Sequence, residues 1–263
     1  MNSSRYILCV IILLVVIYIT YSWVYSRAIV DYTTEPYDIY LINMDKHTDR
    51  LQSFQTHFNA SDLYESSFTR FPGVLGDKLD IKSLVTKKAY GEITGAEQNK
   101  YRTKHYQLTR GGVGCYMSHI EVMKMIWNSD KNMGLIFEDD AIMDKNTKAA
   151  LREQLAQIPS DWDVLLLGYF CNKCTYGLSY NKVNKFFGLH GYLINRSGIR
   201  KILKYCALPV DRQIDSSMSD MSERGLLNIY STKIKYVRQD NSFKTSIQIP
   251  IRKTTGVDVW AKE

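Results

Sequence analysis

Short apolar runs alternate along this chain with segments of helical period, and that alternation restricts its fold more than any other feature. Tyr37-Asp-Ile-Tyr-Leu-Ile-Asn43, Phe68 to Phe71, Gly134-Leu-Ile-Phe137, Trp162 to Leu167 and Phe186 to Ile194 read as strands. Between them the spacing predicts helices over Lys46 to Phe58, Gly112 to Trp127, Thr147 to Gln157 and Ser197 to Tyr205, with a shorter one after Pro209. Lys87 to Arg110 is polar and punctuated by glycine, so it reads as a long loop, and Ile234 to Val237 closes the regular part. Strands alternating with helices predict an α/β domain with a largely parallel sheet, whose ligands sit outside the carboxyl ends of the strands.

Ahead of that body, Tyr6 to Tyr25 carries no charge and is flanked by Arg5 and Arg27. At about 1.5 Å per residue such a run matches the ~30 Å hydrocarbon core of a bilayer. It predicts a retained signal-anchor, with residues 1–5 as a short cytoplasmic head, 6–25 as the transmembrane helix and 26–36 as a stem. The competing reading is a signal peptide cleaved after Ala28, whose apolar core would be shorter. A tiny head and a large remainder place the remainder on the non-cytoplasmic, luminal side of a single-pass membrane protein.

The formal charge is +7, from 34 Lys and Arg against 27 Asp and Glu. The excess is spread along the chain, which favours an anionic ligand and argues against a dedicated nucleic-acid stripe. Five cysteines are too few for a disulfide framework. A lone Cys171-x-x-Cys174 is weak for zinc; in an oxidising lumen one disulfide among Cys171, Cys174 and Cys206 competes with free thiols.

The strongest local signal is Glu138-Asp139-Asp140 at the end of a buried strand. Three consecutive carboxylates repel one another, and hard cations such as Mn²⁺ or Mg²⁺ prefer their oxygens. Period-2 geometry puts Glu138 and Asp140 on one face and Asp139 on the other. The bland alternative is a solvated junction with a helix-capping Asp. Ser118-His119 lies on the preceding helix, where His119 could hold a phosphate, orient a carboxylate or simply pack. Gly111-Gly112-x-Gly114 at that helix start could bring backbone N–H groups to phosphate, or form a tight turn. Asp211 and Asp215 could each supply a general base or cap a helix.

In order along the chain, these segments resemble glycosyltransferase family 25. The likeness runs through Ile39-Tyr-Leu-Ile-Asn43-Met-Asp45 with Asp49-Arg50, then Leu108-Thr-Arg-Gly111-Gly112-Val-Gly114-Cys115-Tyr-Met-Ser118-His119, then Leu135-Ile-Phe-Glu138-Asp139-Asp140. It continues through Tyr192-Leu-Ile-Asn-Arg-Ser-Gly198, Pro209-Val-Asp211 and Val237-Arg-Gln239 with Thr245-Ser246-Ile247. One position departs: the family's Glu after the loop glycine is Gly112 here.

The resemblance implies a GT-A-like, Rossmann-type nucleotide-sugar-binding domain over 37–263, preceded by the one transmembrane helix. It implies an inverting transfer of galactose or glucose from a UDP-sugar to a hydroxyl of a glycan or of hydroxylysine in a collagen-like protein. It also implies Mn²⁺ (or Mg²⁺) at Glu138, Asp139 and Asp140, a base at Asp211, and donor contacts from Asn43, Arg50, Gly111, Gly112, Ser118 and His119. The alternative is a non-catalytic, membrane-anchored binding or adhesion protein that keeps the fold. A metal-dependent phosphodiesterase is a third reading, which five histidines make thin.

Overall fold

A computed structural model describes residues 12–20, 35–104, 107–245 and 247–251. The chain divides into two compact units, residues 1–36 and 37–263. In the first, residues 12–20 are helical and their apolar side chains are exposed. The rest of the Tyr6 to Tyr25 run and nearly all of the 26–36 stem lie outside the described residues. Among the described residues, no helix is long and apolar enough to cross a membrane.

The second unit is built on a six-stranded sheet. Its strands are β1 (Tyr37–Asn43), β2 (Phe68–Pro72), β3 (Met133–Glu138), β5 (Val164–Tyr176), β6 (Tyr180–Asn195) and β7 (Ile229–Thr232), in the order β2-β1-β3-β6-β5-β7. A two-stranded sheet pairs β4 (Ala141–Met143) with β8 (Val237–Gln239). The helices are α1 (Thr48–Asn59), α2 (Ile81–Leu84), α3 (Lys87–Asn99), α4 (Arg110–Asn128), α5 (Thr147–Gln157), α6 (Arg196–Tyr205) and α7 (Ile214–Glu223).

Five strands of the large sheet run the same way, and β6 runs against both of its neighbours, β3 and β5. The sheet is therefore mostly parallel, as expected, with one reversed strand inside it. Alternate side chains divide the core between the two faces. Ile136, Tyr192, Val164 and Leu166 pack with Val113, Tyr116 and Met123 of α4. Leu135, Phe137, Leu193 and Leu165 pack on the other side with Phe54 and Phe58 of α1 and Leu151 of α5.

Two expectations fail. Lys87 to Asn99 is helix rather than loop, because Thr86 caps it by accepting from the Ala89 N–H at 3.2 Å, and Ala89, Ile93 and Ala96 form a buried stripe at helical spacing. The helix stops at Lys100, whose φ of 59° is left-handed. The closing segment is likewise two short strands, β7 and β8, with residues 233–236 turning between them.

Cys171 and Cys174 form a disulfide, whereas Cys206 stays a buried thiol beside Met221. In a regular strand, residues three apart lie roughly 10 Å apart. Register shifts in β5 around Lys173 bring these two Cα atoms to 6.2 Å instead. The sequence holds two N-x-Ser glycosylation sequons, at Asn59 and Asn195, and the Asn195 side chain is engaged: its Oδ1 accepts from Gly198 N and its Nδ2 donates to the Trp162 carbonyl.

Candidate active site

The chain leaves β1 towards β2 on one side and returns through β3 on the other, so the crevice for ligands opens between the carboxyl ends of β1 and β3. Asn43 ends β1 and Glu138 ends β3. Asp139 points to the α1 face, as alternation predicts. Its carboxylate accepts from Asn43 Nδ2 and from Arg50 Nη1, both at 2.8 Å. Arg50 also donates to the Lys244 carbonyl at 2.7 Å and lies 5.1 Å from the Phe243 ring centroid. Asn43 Oδ1 accepts in turn from Arg70 Nε. Asn43 and Arg50, expected as donor contacts, thus hold Asp139, and Arg50 also lines the adjoining cavity.

Glu138 and Asp140 project to the α4 face. The β3–β6 ladder pairs Phe137 with Gly191, so the next step of the same register sets Glu138 opposite His190. Glu138, Asp140 and His190 bring their ligand atoms within 4.8 Å of one another. Of the three roles open to His119, holding a phosphate, orienting a carboxylate or packing, the structure shows the last two. His119 is fully buried, with Nε2 3.1 Å from Glu138 Oε1 and Nδ1 2.9 Å from the Tyr192 hydroxyl. Burial raises the Glu138 carboxyl, but the His119 hydrogen bond and the charges of His119, His190 and Arg50 outweigh it and leave it below its ordinary value. Asp140 is pushed up to about 7, first by burial and then by the neighbouring Glu138.

A divalent cation fits these residues. Asp140 Oδ1 and both ring nitrogens of His190 are buried without a hydrogen-bond partner among the described residues. Buried polar atoms are normally satisfied, and a neutral imidazole has one lone pair, so Asp140 Oδ1 and one His190 nitrogen are two unpartnered lone-pair donors that a cation beside Glu138 would satisfy. Two carboxylates and one imidazole suit Mn²⁺ better than Mg²⁺. Cys115, His119 and Glu138 form a second such group. It is the poorer one, since both His119 nitrogens are engaged and burial pushes the Cys115 thiol well up. His190 escaped sequence reasoning. Its only signal there is a histidine inside an apolar strand, which more often marks packing than ligation.

Two cavities meet at Glu138, Cys115 and Gln239. The smaller, about 310 Å³, is lined by Ile42, Met44, Arg50, Val74 and Phe243, together with Gly111, Ser118, His119 and the three carboxylates. The larger, about 1040 Å³, is lined by Gly112, Phe170, Phe187, His190, Asp211 and Asp215, among others. Gln239 Nε2 donates to Asp140 Oδ2 at 3.0 Å, which the β4–β8 pairing of Ala141 with Gln239 arranges.

The glycines at the head of α4 permit close backbone contact. A Cβ on Gly111 would come within 2.8 Å of Ile247 Cα, and one on Gly114 would strike the Val74 carbonyl oxygen. The Gly112 N–H donates to Thr109 Oγ1 as part of the helix cap. Ser118 Oγ accepts from Val74 N at 2.8 Å and so fixes the wall of the smaller cavity.

Asp211 and Asp215 differ sharply. Asp211 is exposed and ion-paired with Arg212 at 2.8 Å, and that hydrogen bond holds its carboxyl below the usual range. Asp215 is half-buried in the wall of the larger cavity, where its carboxylate accepts from Gly188 N at 2.8 Å and Ser216 N at 2.6 Å. Burial raises its carboxyl.

A mostly parallel α/β sheet with carboxylates at its switch point fits a GT-A-like fold. The sequence match specifies the class further: the model of glycosyltransferase family 25, described as an LPS biosynthesis protein family, covers residues 37–218. The chain belongs to glycosyltransferase family 25.

Curated relatives agree at low identity. Procollagen galactosyltransferase 1-B of Xenopus laevis is 26% identical over 209 residues, which is 74% of this chain and 32% of that protein. Procollagen galactosyltransferase 2 of Mus musculus is 26% identical over 137 residues, 50% of this chain and 20% of that protein. A probable inactive glycosyltransferase 25 family member 3 of Bos taurus is 23% identical over 137 residues, 50% of this chain and 21% of that protein. The matches therefore span between a fifth and a third of these relatives.

Proposed function

We propose that this chain is a metal-assisted, inverting hexosyltransferase, moving galactose or glucose from a UDP-sugar to an acceptor hydroxyl. The observation that carries the reading is the convergence of Glu138, Asp140 and His190, the last two with unpartnered buried atoms, at the junction of two cavities. The smaller cavity takes the nucleotide, with Arg50 and Phe243 on its wall and an apolar floor from Ile42 and Val74. The larger cavity admits the acceptor.

Glu138, Asp140 and His190 would hold Mn²⁺, which when bound offsets charge on the departing diphosphate. His119 keeps Glu138 ionised and aimed, while Arg50 and Asn43 lock the backbone of the same turn through Asp139. In the transfer, the acceptor oxygen bonds to the anomeric carbon as that carbon's bond to the diphosphate oxygen breaks, and the acceptor proton passes to a carboxylate. Asp211 and Asp215 both line the acceptor cavity. Asp215 is the better base, because burial raises its proton affinity whereas Arg212 lowers that of Asp211. The acceptor is a glycan or, as the relatives' names indicate, a collagen-like protein. Attachment to a membrane through Tyr6 to Tyr25, with a luminal catalytic unit, completes the reading.

The test is UDP release by the full chain from UDP-galactose and UDP-glucose, with Mn²⁺ or with EDTA. Release that needs metal and is lost in Asp140→Asn bears the proposal out. A second reading, a binding module without turnover, draws on Gly112 and on the relative named as probably inactive. Metal-dependent UDP binding with no release across donors and acceptors would select it.

A further inference from the structure

Beside the metal-capable cluster, β5 and β6 build an aromatic surface that the transfer as described does not use. Phe170 and Phe187 stack across the two strands with centroids 5.1 Å apart and planes 18° from parallel. Both line the larger cavity, and Phe170 is 37% exposed despite its size. The pair is coupled to the reactive end, since Phe170 meets His190 edge-on at 5.2 Å.

Gly188 makes that approach possible. Its φ of +79° is left-handed, and a Cβ there would fall 2.7 Å from His190 Cε1 and 3.4 Å from Phe170 Cδ2. The Gly188 N–H also donates to Asp215. One turn therefore fixes the aromatic pair, His190 and Asp215 relative to one another.

We propose that the Phe170–Phe187 pair is an acceptor subsite that stacks the C–H face of a pyranose ring, so that the acceptor is a saccharide rather than a hydroxylysyl side chain. This rests on the reading of the larger cavity as the acceptor site. Sugar rings carry an apolar face of weakly positive C–H groups and a rim of hydroxyls; the face suits the negative π surface and the rim needs donors around it. Asn172 and Lys185 line the cavity beside the pair and supply such donors. Lys235 Nζ lies 5.6 Å from the Phe170 centroid on a flexible stem that a sugar face would displace towards a hydroxyl.

The acidic residues argue the same way. A hydroxylysyl acceptor brings an ammonium beside its hydroxyl and needs a carboxylate to meet it. Yet Asp211 and Asp220 are paired with Arg212, Glu92 with Lys104 and Glu223 with Lys173, which leaves Asp215, the base for the hydroxyl, and Glu138, a candidate metal ligand. The cavity's volume, about 1040 Å³, is also at the upper end for small-ligand sites and far exceeds one lysyl side chain.

The experiment is saturation-transfer NMR on the full chain. Methyl β-galactoside, methyl β-glucoside and lactose are compared with a Gly-hydroxylysine-Gly peptide, and UDP binding with Mn²⁺ is measured in parallel. The expected result is saturation of glycoside ring protons, with affinity falling about tenfold in Phe170→Leu and Phe187→Ala, kept in Phe170→Trp, and UDP binding unchanged throughout. Because Phe170 is partly exposed, Phe170→Leu keeps the test valid if Phe187→Ala does not fold. Binding of the peptide with silence from the glycosides, or glycoside binding indifferent to Phe170, overturns the proposal. Glycoside binding that depends on Phe170 without any UDP binding supports the subsite and sinks the transferase reading instead.

Discussion

Arg50 donates to Asp139 at 2.8 Å, and both side chains are almost wholly buried, at 8% and 10% exposure. This pair links α1 to the turn after β3, so the helix that follows the first strand braces the loop that presents Glu138 and Asp140. The middle carboxylate of the cluster is thereby taken up by Arg50 and Asn43, while its two neighbours converge with His190. What sequence reading grouped as three metal carboxylates is organised as one anchor between two candidate ligands.

Breaking this pair from one side is expected to be costly. Arg50→Met leaves the Asp139 charge buried with Asn43 alone, and a loss of about 3–5 kcal/mol in urea unfolding is expected. Arg50→Met combined with Asp139→Asn should recover much of that loss, since the orphaned charge is removed. A double variant as unstable as the single one would show that packing of the guanidinium, not charge, is what matters.

Metal addition gives a direct readout of the Glu138–Asp140–His190 cluster. A ligand at a hundredfold excess over its Kd stabilises the folded state by ~2.7 kcal/mol. Spread over a domain of this size, that corresponds to a Tm increase of roughly 5–10 °C with Mn²⁺, reversed by EDTA. Asp140→Asn and His190→Gln should each abolish the increase. Asp211→Asn, which is outside the cluster, should keep it.

The glycines make opposite predictions according to their surroundings. A Cβ on Gly76 would land on the Arg110 carbonyl oxygen, backbone against backbone, so Gly76→Ala should lose about 1–3 kcal/mol and disturb the smaller cavity. Gly95 lies within α3 with nothing within 4 Å of an added Cβ. Gly95→Ala should therefore gain about 0.5–1 kcal/mol from helix propensity. Thermal unfolding of the two variants side by side checks both signs.

The elements legible in the sequence are those whose pattern is local. Gly134 to Phe137 is an unbroken apolar run, and Val113, Tyr116, Ile120 and Met123 repeat at helical spacing, so β3 and α4 fall close to where they are read. The helix at Lys87–Asn99 was obscured by Gly91 and Gly95, although Thr86 and the Ala89, Ile93, Ala96 spacing carry the signal. β7 has only four residues, too few for alternation to register. Within the site, Glu138 and Asp140 are legible because adjacent carboxylates ending a strand are unusual. His190 is not, because it reaches them only through the antiparallel register of β3 and β6, a pairing across some fifty residues that no short motif encodes.

The two carboxylates on the larger cavity predict different pH profiles. Burial raises Asp215, so its protonated form persists above the ordinary aspartate range, and a reaction that uses it as base should lose rate on acidification from that raised value downward. The Arg212 hydrogen bond lowers Asp211, so a base there would stay ionised until below the ordinary range and leave no acid limb above it. With UDP-sugar hydrolysis as the readout, Asp215→Asn should cut kcat by about 10²–10⁴-fold. Asp211→Asn should cost less than about tenfold and leave the acid limb where it was, because an exposed, ion-paired carboxylate that does not take the proton contributes only to the shape of the cavity rim. If the larger loss falls on Asp211→Asn, and the profile is flat down through the ordinary aspartate range, the base is Asp211 and Asp215 serves only to hold the Gly188 turn.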